Sequence, residues 1–175
     1  EQPLSALSFT VFDCETTGLD PAGGDEIIQI GAVRILNSRI LKGETIDQLV
    51  DPQRSIPEAG IPIHHIHPHM VRGMPTIGQV LPVFHRFAAG SVLVGHNVAF
   101  DMRFLKLKEA ATGCVFDHPV LDTLLLSSIV HPAGESHSLE AIADRLGITI
   151  GGRHTALGDA LATAEVFARL IPLLS

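Results

Sequence analysis

The spacing of apolar residues alternates along the chain between the two-residue period of strands and the longer period of helices. Strands are predicted where short apolar runs are bounded by turn-forming residues. Five such runs lie at residues 9–13, 25–36, 39–50, 91–96 and 120–121. Asn37-Ser38, between the second and third runs, is typical of a β-hairpin turn.

Five later segments carry apolar residues at helical spacing. The first follows an N-cap at Thr76, and we expect Pro82 to interrupt and kink it. Its apolar face consists of Ile77, Val80, Leu81 and Phe84. The other four helices are predicted at residues 97–111, 122–130, 138–147 and 155–173. The proline-rich stretch 51–69 predicts a loop, with a short helix at 69–73.

The order of these elements indicates the fold class. Antiparallel strands come first and strand–helix alternation follows, which predicts an α/β fold with a mixed sheet covered by helices. With 175 residues and 46% hydrophobic content, residues 1–175 are expected to form one globular domain. The sequence begins without Met, so we expect that this domain was cut from a longer polypeptide.

Composition narrows the setting. No apolar stretch approaches the ~20 residues that span a bilayer, and the first residues do not resemble a secretory signal. Cys14 and Cys114 suit a reducing compartment better than a disulfide framework. We therefore expect a cytoplasmic location and no membrane partner. The net charge of −7 disfavours a protein that grips long nucleic-acid duplexes.

Two acids, Asp13 and Glu15, stand at the end of the first apolar strand. Residues two apart on a strand point to the same face, so these carboxylates share one side and Cys14 faces away from them. Like charges held so close repel unless something positive lies between them. The pattern therefore indicates a cation site.

A second acidic motif, GHNVAFDMRF, lies at residues 95–104. It places His96 at a strand end, with Asn97 and Asp101 one helical turn apart on the next helix. Asp101 is surrounded in sequence by apolar residues, an unusual position for an acid that faces water.

The third motif contains His154 and Asp159. Thr155 is expected to cap a helix, with Asp159 on its second turn facing inward and His154 on a mobile loop at Gly151-Gly152. A buried carboxylate needs a charged partner because its unpaired burial costs several kcal/mol.

The four acids of these motifs are candidates to converge on a metal site: Asp13, Glu15, Asp101 and Asp159. Arg103 and Arg153 are the only basic residues other than histidine within the motifs. Ligands that offer only oxygen favour Mg²⁺ or Mn²⁺ over zinc. Two such ions ~4 Å apart stabilise phosphoryl displacement, and a nearby histidine can take the proton from the attacking water.

The three motifs together resemble a known enzyme family. D-x-E-T-T-G at 13–18, H-N-x-x-F-D at 96–101 and H-x-x-x-x-D at 154–159 are similar to the motifs of the histidine (DEDDh) branch of the DEDD exonucleases. Within that branch the chain resembles the proofreading epsilon subunit of bacterial DNA polymerase III, over residues 8–173. The resemblance implies a ribonuclease H-like fold, two divalent cations (Mg²⁺ or Mn²⁺) and 3′-to-5′ release of nucleoside 5′-monophosphates, in proofreading or repair.

Roles for individual residues also follow from the resemblance. It implies that Asp13, Glu15, Asp101 and Asp159 bind the metals and that His154 is the general base. It further implies that the terminal nucleotide is held by Thr16, Thr17, Gly18, Leu19, His64, Asn97 and Phe100. Single-stranded DNA is the favoured substrate, and a polymerase or fused domains are expected to supply the affinity that an acidic chain lacks.

One departure from the family lies after His64, where glycine is usual and this chain has His65, followed by His67 and His69. A zinc site in this cluster is an alternative, but no cysteine accompanies it, so a solvated or substrate-facing loop is favoured. Two alternative functions stay open: an exonuclease that acts on RNA, and a regulatory module that binds nucleic-acid ends.

Overall fold

A five-stranded mixed sheet forms the centre of the molecule in the computed structural model, which describes residues 7–131, 135–151 and 154–174. The strand order is β3-β2-β1-β4-β5, so β1 is central. The first three strands pair antiparallel, and β4 and β5 add in parallel. The strands are β1 (Ser8–Thr16), β2 (Ile27–Leu36), β3 (Arg39–Leu49), β4 (Val92–Gly95) and β5 (Val120–Asp122).

All five predicted strands are present, and two details matter for the site. Asn37 and Ser38 both have positive φ, as a tight hairpin between β2 and β3 requires. β1 is longer than its apolar run predicted and ends at Thr16. It pairs with β4 only from Phe9 to Val11, so its acidic end extends past the end of β4.

Helices cover both faces of this sheet. Eight α-helices lie within the described residues: α1 (Ile61–His64), α2 (Pro68–Val71), α3 (Ile77–Phe87), α4 (Val98–Leu107), α5 (Glu109–Thr112), α6 (Thr123–Val130), α7 (Leu139–Arg145) and α8 (Ala156–Leu170). Short 3₁₀ turns at Glu58–Gly60 and Ile171–Leu174 precede α1 and follow α8.

Several helix boundaries differ from the prediction. The stretch predicted as a loop with one helix at 69–73 contains α1 and α2, because single turns of four residues are too short to give a periodic signal. The helix predicted over 97–111 is divided at Lys108 into α4 and α5. Pro82 does not interrupt α3, which continues to Phe87.

Both ends of α7 match the prediction: Ser138 caps its start, and Gly147 follows its end with a positive φ.

Residues on β1 alternate between two cores. Phe12 and Cys14 pack with α3 and α4, whereas Phe9 and Val11 pack with α8. The end of β1 therefore receives side chains from α8 on one face and from α4 on the other.

The predicted α/β class is confirmed. Within the described residues, no helix is long and apolar enough to cross a membrane.

Candidate active site

Three carboxylates meet at the end of β1 on the face covered by α8. One oxygen from each of Asp13, Glu15 and Asp159 lies within 4.8 Å of the other two. The two-residue period of β1 brings the first two together, as the sequence predicted. We call these three residues the acidic triad.

The third acid arrives because α8 begins directly against β2. Gly31 pairs with Asp13, and a Cβ atom at Gly31 would lie 2.1 Å from the backbone nitrogen of Leu157. Only glycine allows this approach. Gln29 of β2 adds a specific contact, since its side-chain oxygen accepts a hydrogen bond from the Ala156 nitrogen at 3.0 Å. Gly31 and Gln29 therefore bring the start of α8 to the acids.

His154 lies just before α8 and is coupled to the triad. Thr155 is the N-cap, as predicted, and its hydroxyl accepts from the Gly158 nitrogen at 3.0 Å. The backbone nitrogen of His154, which has a φ of +71°, donates to Asp159 Oδ1 at 3.1 Å. The Gly152 part of the predicted mobile loop and Arg153 lie outside the described residues.

Asp101 approaches from the opposite face and is not part of the acidic triad. It lies on α4, is 3% exposed, and its Oδ1 accepts a hydrogen bond from the Cys14 backbone nitrogen at 3.1 Å. That nitrogen belongs to the part of β1 that extends past β4. Burial is the main cause that raises the pKa of Asp101 from 3.8 to about 7, against the hydrogen bond from Cys14.

Cys14 is a buried core residue that packs with the α3 and α4 side of the sheet. It faces away from Asp13 and Glu15 along the strand, yet it contacts Asp101. Burial first, and then the carboxylates of Asp101 and Asp13, raise the pKa of the Cys14 thiol well above its ordinary value. The thiol therefore stays protonated and unreactive at neutral pH.

The turn that follows β1 carries four of the residues expected to hold a nucleotide. Thr16 donates to the Gly18 carbonyl at 2.7 Å, and Thr17 is buried with its hydroxyl donating to Asp25 Oδ1 at 2.9 Å. A Cβ atom on Gly18 would lie 2.4 Å from Asp25 Oδ2, so the turn requires glycine there. Leu19 is 80% exposed at its tip.

Asp25 organises this turn. Its carboxylate accepts from the Asp20 nitrogen at 3.0 Å and from Arg54 Nη1 at 3.0 Å. The Asp20 hydrogen bond is the main cause that lowers the pKa of Asp25, with contributions from Thr17 and Arg54. Leu19, which is exposed at the tip of this turn, therefore lies on a loop that the hydrogen bonds of Asp25 hold in place.

Asn97 and Phe100 lie at the start of α4, beside Asp101. Asn97 has a φ of +56°, is exposed and makes no side-chain capping bond. The Phe100 ring is partly buried against Phe104, with centroids 5.1 Å apart, and the Arg103 guanidinium lies 5.8 Å from its centre. The structure therefore leaves the Asn97 amide accessible, while Phe100 is part of the core edge.

His64 is buried at the end of α1. Its Nδ1 accepts from the Ile66 nitrogen at 2.9 Å, which places the ring proton of the neutral form on Nε2. Burial is the main cause that lowers the pKa of His64, so the ring is neutral at pH 7.

The rings of His67 and His69 stack 5.8 Å apart. Among the described residues, the acidic triad is the only group of three potential metal ligands, and no histidine cluster of that kind forms.

Several residues that shape the site were not predicted from the sequence: Asp25, Gln29, Gly31 and Asp122. Asp122 accepts hydrogen bonds from the backbone at the start of α4 and also caps α6 through Leu124. Its place at the start of a predicted helix is a local signal for the second role. Its contacts with α4, like the contacts of Gln29 and Gly31 with α8, join residues distant in sequence and carry no local pattern.

Comparisons with known proteins show the family and the fold of the chain. A DNA polymerase III subunit epsilon-like protein of Rhodobacter capsulatus is 57% identical over 176 residues, covering 99% of this chain and 25% of that protein. The chain thus spans about a quarter of the length of that relative. A structure of Exonuclease X in complex with 5′ overhanging duplex DNA is 25% identical, with a TM-score of 0.74 over 94% of this chain and 91% of that one.

A second solved structure supports the fold. The nuclease domain of 3′hExo, a DEDDh family member bound to rAMP, superposes with a TM-score of 0.80 over 95% of this chain and 92% of that one, at 19% identity. The predicted ribonuclease H-like architecture is confirmed by this likeness. The exonuclease family model RNase_T matches residues 10–167. Because that match covers most of the chain, the protein belongs to the RNase_T exonuclease family.

Proposed function

We propose that this domain is a metal-dependent 3′-to-5′ exonuclease that removes nucleoside 5′-monophosphates from the 3′ end of single-stranded DNA. The observation that carries the proposal is the acidic triad, three carboxylate oxygens within 4.8 Å of one another at the end of β1, beside His154. Membership of an exonuclease family and an epsilon-like relative support it.

The donor set of the triad fits hard divalent cations. Carboxylate oxygens are the ligands that Mg²⁺ and Mn²⁺ prefer, and three at this spacing repel one another without a cation. Two bound ions would supply activation of the attacking water and neutralisation of the charge that develops on the phosphate. Asp13, Glu15 and Asp159 would hold them, with Asp101 as a fourth ligand from the α4 side.

His154 is the proposed general base. It would take a proton from water as the water oxygen bonds to phosphorus. The bond from phosphorus to the 3′ oxygen of the penultimate nucleotide breaks, and that oxygen takes up a proton from solvent. The backbone nitrogen of His154 is hydrogen-bonded to Asp159, so the base and a proposed metal ligand are held together.

The terminal nucleotide is proposed to bind between the turn after β1 and the start of α4. Leu19 offers an exposed apolar side chain to a base, and Asn97 offers an accessible amide. The backbone of Thr16, Thr17 and Gly18 is braced by Asp25 and would contact the sugar and phosphate. His64 and Phe100 are proposed to contact the same nucleotide, with the Nε2–H of His64 as a donor.

Substrate class and setting are part of the proposal. An acidic chain that grips only a frayed end makes few phosphate contacts, so its unaided affinity is weak. Attachment to a polymerase or to further domains of a longer polypeptide would supply local concentration. DNA is favoured because the 57% identical relative carries a DNA polymerase III epsilon-like name. The complete set of acids and His154 argues against a purely regulatory module.

The test uses two 5′-labelled single strands of equal sequence, one DNA and one RNA. Each is incubated with Mg²⁺, Mn²⁺, Ca²⁺ or chelator, and the products are resolved by length. We expect a ladder that shortens from the 3′ end with Mg²⁺ or Mn²⁺, faster on DNA, and little turnover with Ca²⁺ because of its looser coordination. Equal cleavage in chelator overturns the mechanism, and faster digestion of RNA overturns the substrate assignment.

A further inference from the structure

One carboxylate outside the three motifs binds the starts of two helices. Asp122, at the end of β5, accepts through Oδ1 from the Asn97 nitrogen at 2.8 Å and from the Leu124 nitrogen at 2.9 Å. Its Oδ2 accepts from the Val98 nitrogen at 3.3 Å. The first bond belongs to α4 and the second to α6, where Asp122 is the N-cap residue.

Asn97 does not cap α4 with its side chain. In most helices the N-cap side chain accepts a hydrogen bond from the first turn. Asn97 makes no such bond, and its backbone adopts the left-handed conformation. The Asp122 carboxylate binds the nitrogens of Asn97 and Val98, which precede the nitrogens that an N-cap side chain contacts. The Asn97 amide is therefore available for another partner.

The same anchor fixes the position of Asp101. Asp101 lies on the first turn of α4, and its carboxylate must reach the Cys14 nitrogen on β1 from that helix. No neighbouring strand holds this part of β1 on the α4 side, because β4 ends at Gly95. A shift of the start of α4 would move Asp101 away from β1 and Asn97 away from the nucleotide.

The next residue strengthens the junction. Thr123 is fully buried, and its hydroxyl donates to the Gly95 carbonyl at 3.3 Å and contacts His96 Nδ1 at 2.8 Å. Asp122 and Thr123 together thus contact the backbone or side chain of each residue from Gly95 to Val98.

We propose that Asp122 is a positioning residue for the nuclease reaction: it anchors the start of α4 so that the Asn97 amide is oriented towards the nucleotide and Asp101 is held at the metal site. This inference rests on the proposed function, and it concerns a residue that touches neither substrate nor metal. Its effect on catalysis is exerted entirely through α4.

The main variant is Asp122→Ser. Serine is a good N-cap residue, so it can still cap α6 by accepting from Leu124, but it is too short to reach Asn97 and Val98. We expect kcat to fall by roughly 10- to 100-fold, with a similar rise in the Mn²⁺ concentration needed for half-maximal activity. Asp122→Asn, which keeps one acceptor oxygen, should lose less of both.

Ser138→Ala is the matched control. Ser138 caps α7, which carries none of the proposed site residues, and its hydroxyl accepts from the Ala141 nitrogen at 3.2 Å. Its loss should lower the melting temperature by about 2–4 °C and leave kcat and the Mn²⁺ requirement unchanged. An Asp122→Ser protein that melts lower but keeps the parent kcat and Mn²⁺ requirement would show a purely structural role and overturn the inference.

Hydrogen exchange separates this inference from the proposed function, because it needs no substrate. Amide exchange in the peptide covering residues 97–101 should become faster in Asp122→Ser and stay unchanged in Ser138→Ala. Unchanged exchange in both variants refutes the anchor. If the parent protein digests no nucleic acid with any metal, the proposed function fails, while the exchange result still decides whether Asp122 holds α4.

A double-mutant cycle with Asn97→Ala adds a further check. If Asp122 acts by orienting Asn97, the loss caused by Asn97→Ala should be smaller in the Asp122→Ser background than in the parent. Additive losses in kcat/KM would mean that the two residues act independently and would overturn the link to Asn97.

Discussion

The two faces of the sheet bring carboxylates to the same end of β1 under opposite conditions. On the α8 face, one oxygen from each of Asp13, Glu15 and Asp159 lies within 4.8 Å of the other two, and Asp13 and Glu15 are partly exposed. On the α4 face, Asp101 is 3% exposed and hydrogen-bonded to the Cys14 backbone, and the Asp122 carboxylate contributes to raising its pKa. The acidic triad is suited to bind a cation. The Asp101 carboxyl, whose pKa is raised, favours the protonated form.

Under the proposed function, this difference would let the triad and Asp101 serve the same metal site. Four ionised carboxylates without a counter-charge would repel strongly, and burial of one makes its ionisation harder still. Protonation of Asp101 lowers the total charge while the site is free of metal. The comparison predicts that the triad controls activity directly, and that Asp101 couples the site to pH.

The largest expected effect comes from removing a charge in the triad. Asp13→Asn should reduce the rate by roughly 10²- to 10³-fold or more, because it removes a proposed ligand of the divalent cations that the reaction needs. Initial rates on a 5′-labelled single strand with saturating Mn²⁺ measure this. Glu165→Gln is the charge-matched control, since Glu165 lies on α8 in a mostly exposed ion pair with Lys42 and should leave the rate unchanged.

The second prediction concerns the base beside the triad. His154→Ala should lose on the order of 10²- to 10⁴-fold in kcat, the usual contribution of general base catalysis. The Mn²⁺-induced rise in melting temperature should persist, because the three carboxylates are retained. Full activity in this variant would move the base to the α4 side, where His96 is the remaining candidate. His69→Ala serves as the control on an exposed ring.

The third prediction uses stability alone and distinguishes the triad from an ordinary acidic edge. An ion that binds only the folded site stabilises it by about 2.7 kcal/mol at a hundredfold excess over Kd, which corresponds to a melting temperature on the order of 5–10 °C higher. Asp13→Asn should be equally or more stable than the parent in chelator, since one repelling charge is absent.

Melting curves of the parent and Asp13→Asn, each with chelator and with Mn²⁺, provide the measurement. The variant should show a clearly smaller rise with Mn²⁺. If Asp13→Asn melts far below the parent in chelator, Asp13 is a structural residue, and the acidic triad has a role other than binding a cation.

How much of this was accessible from sequence depended on the range of each contact. The hairpin at Asn37-Ser38 and the pairing of Asp13 with Glu15 follow from local geometry, and both were predicted. The approach of α8 to Gly31 was not predicted, because that glycine has no local signal and its neighbour lies about 125 residues away.

The α4 side was harder for the same reason. That Asp101 would be hydrogen-bonded to Cys14 depends on where β4 ends, which tertiary packing decides. The capping of α4 by Asp122 is equally non-local. The four-residue helix α1 was missed, and α2 was predicted with shifted bounds at 69–73, because one turn carries no periodicity. Sequence motifs thus identified the acids, but not the contacts that place them.

The smallest expected effect tests whether the Asp101 carboxyl, on the α4 side, carries a proton in the metal-free protein. The pKa of Asp101 is raised to about 7 in the fold, chiefly by burial, from 3.8. Between these two values the folded protein holds a proton that the unfolded chain has released, so the free energy of unfolding falls as pH rises through this window. Above about pH 7 the loss is complete, because both states are then ionised. Asp101→Asn carries a neutral amide throughout and lacks this contribution.

The parent should therefore lose stability relative to Asp101→Asn when pH rises from about 5 to about 8 in chelator, by a few degrees in melting temperature. Glu165→Gln, which leaves Asp101 intact, should follow the parent at every pH. Saturating Mn²⁺ should reduce the difference at the high end, because an ion that binds the ionised carboxylate replaces the proton. Parallel pH profiles for the parent and Asp101→Asn would mean that Asp101 is already ionised in the metal-free protein. In that case all four acids would share one charged site, and the difference between the two faces of the sheet would be one of position alone.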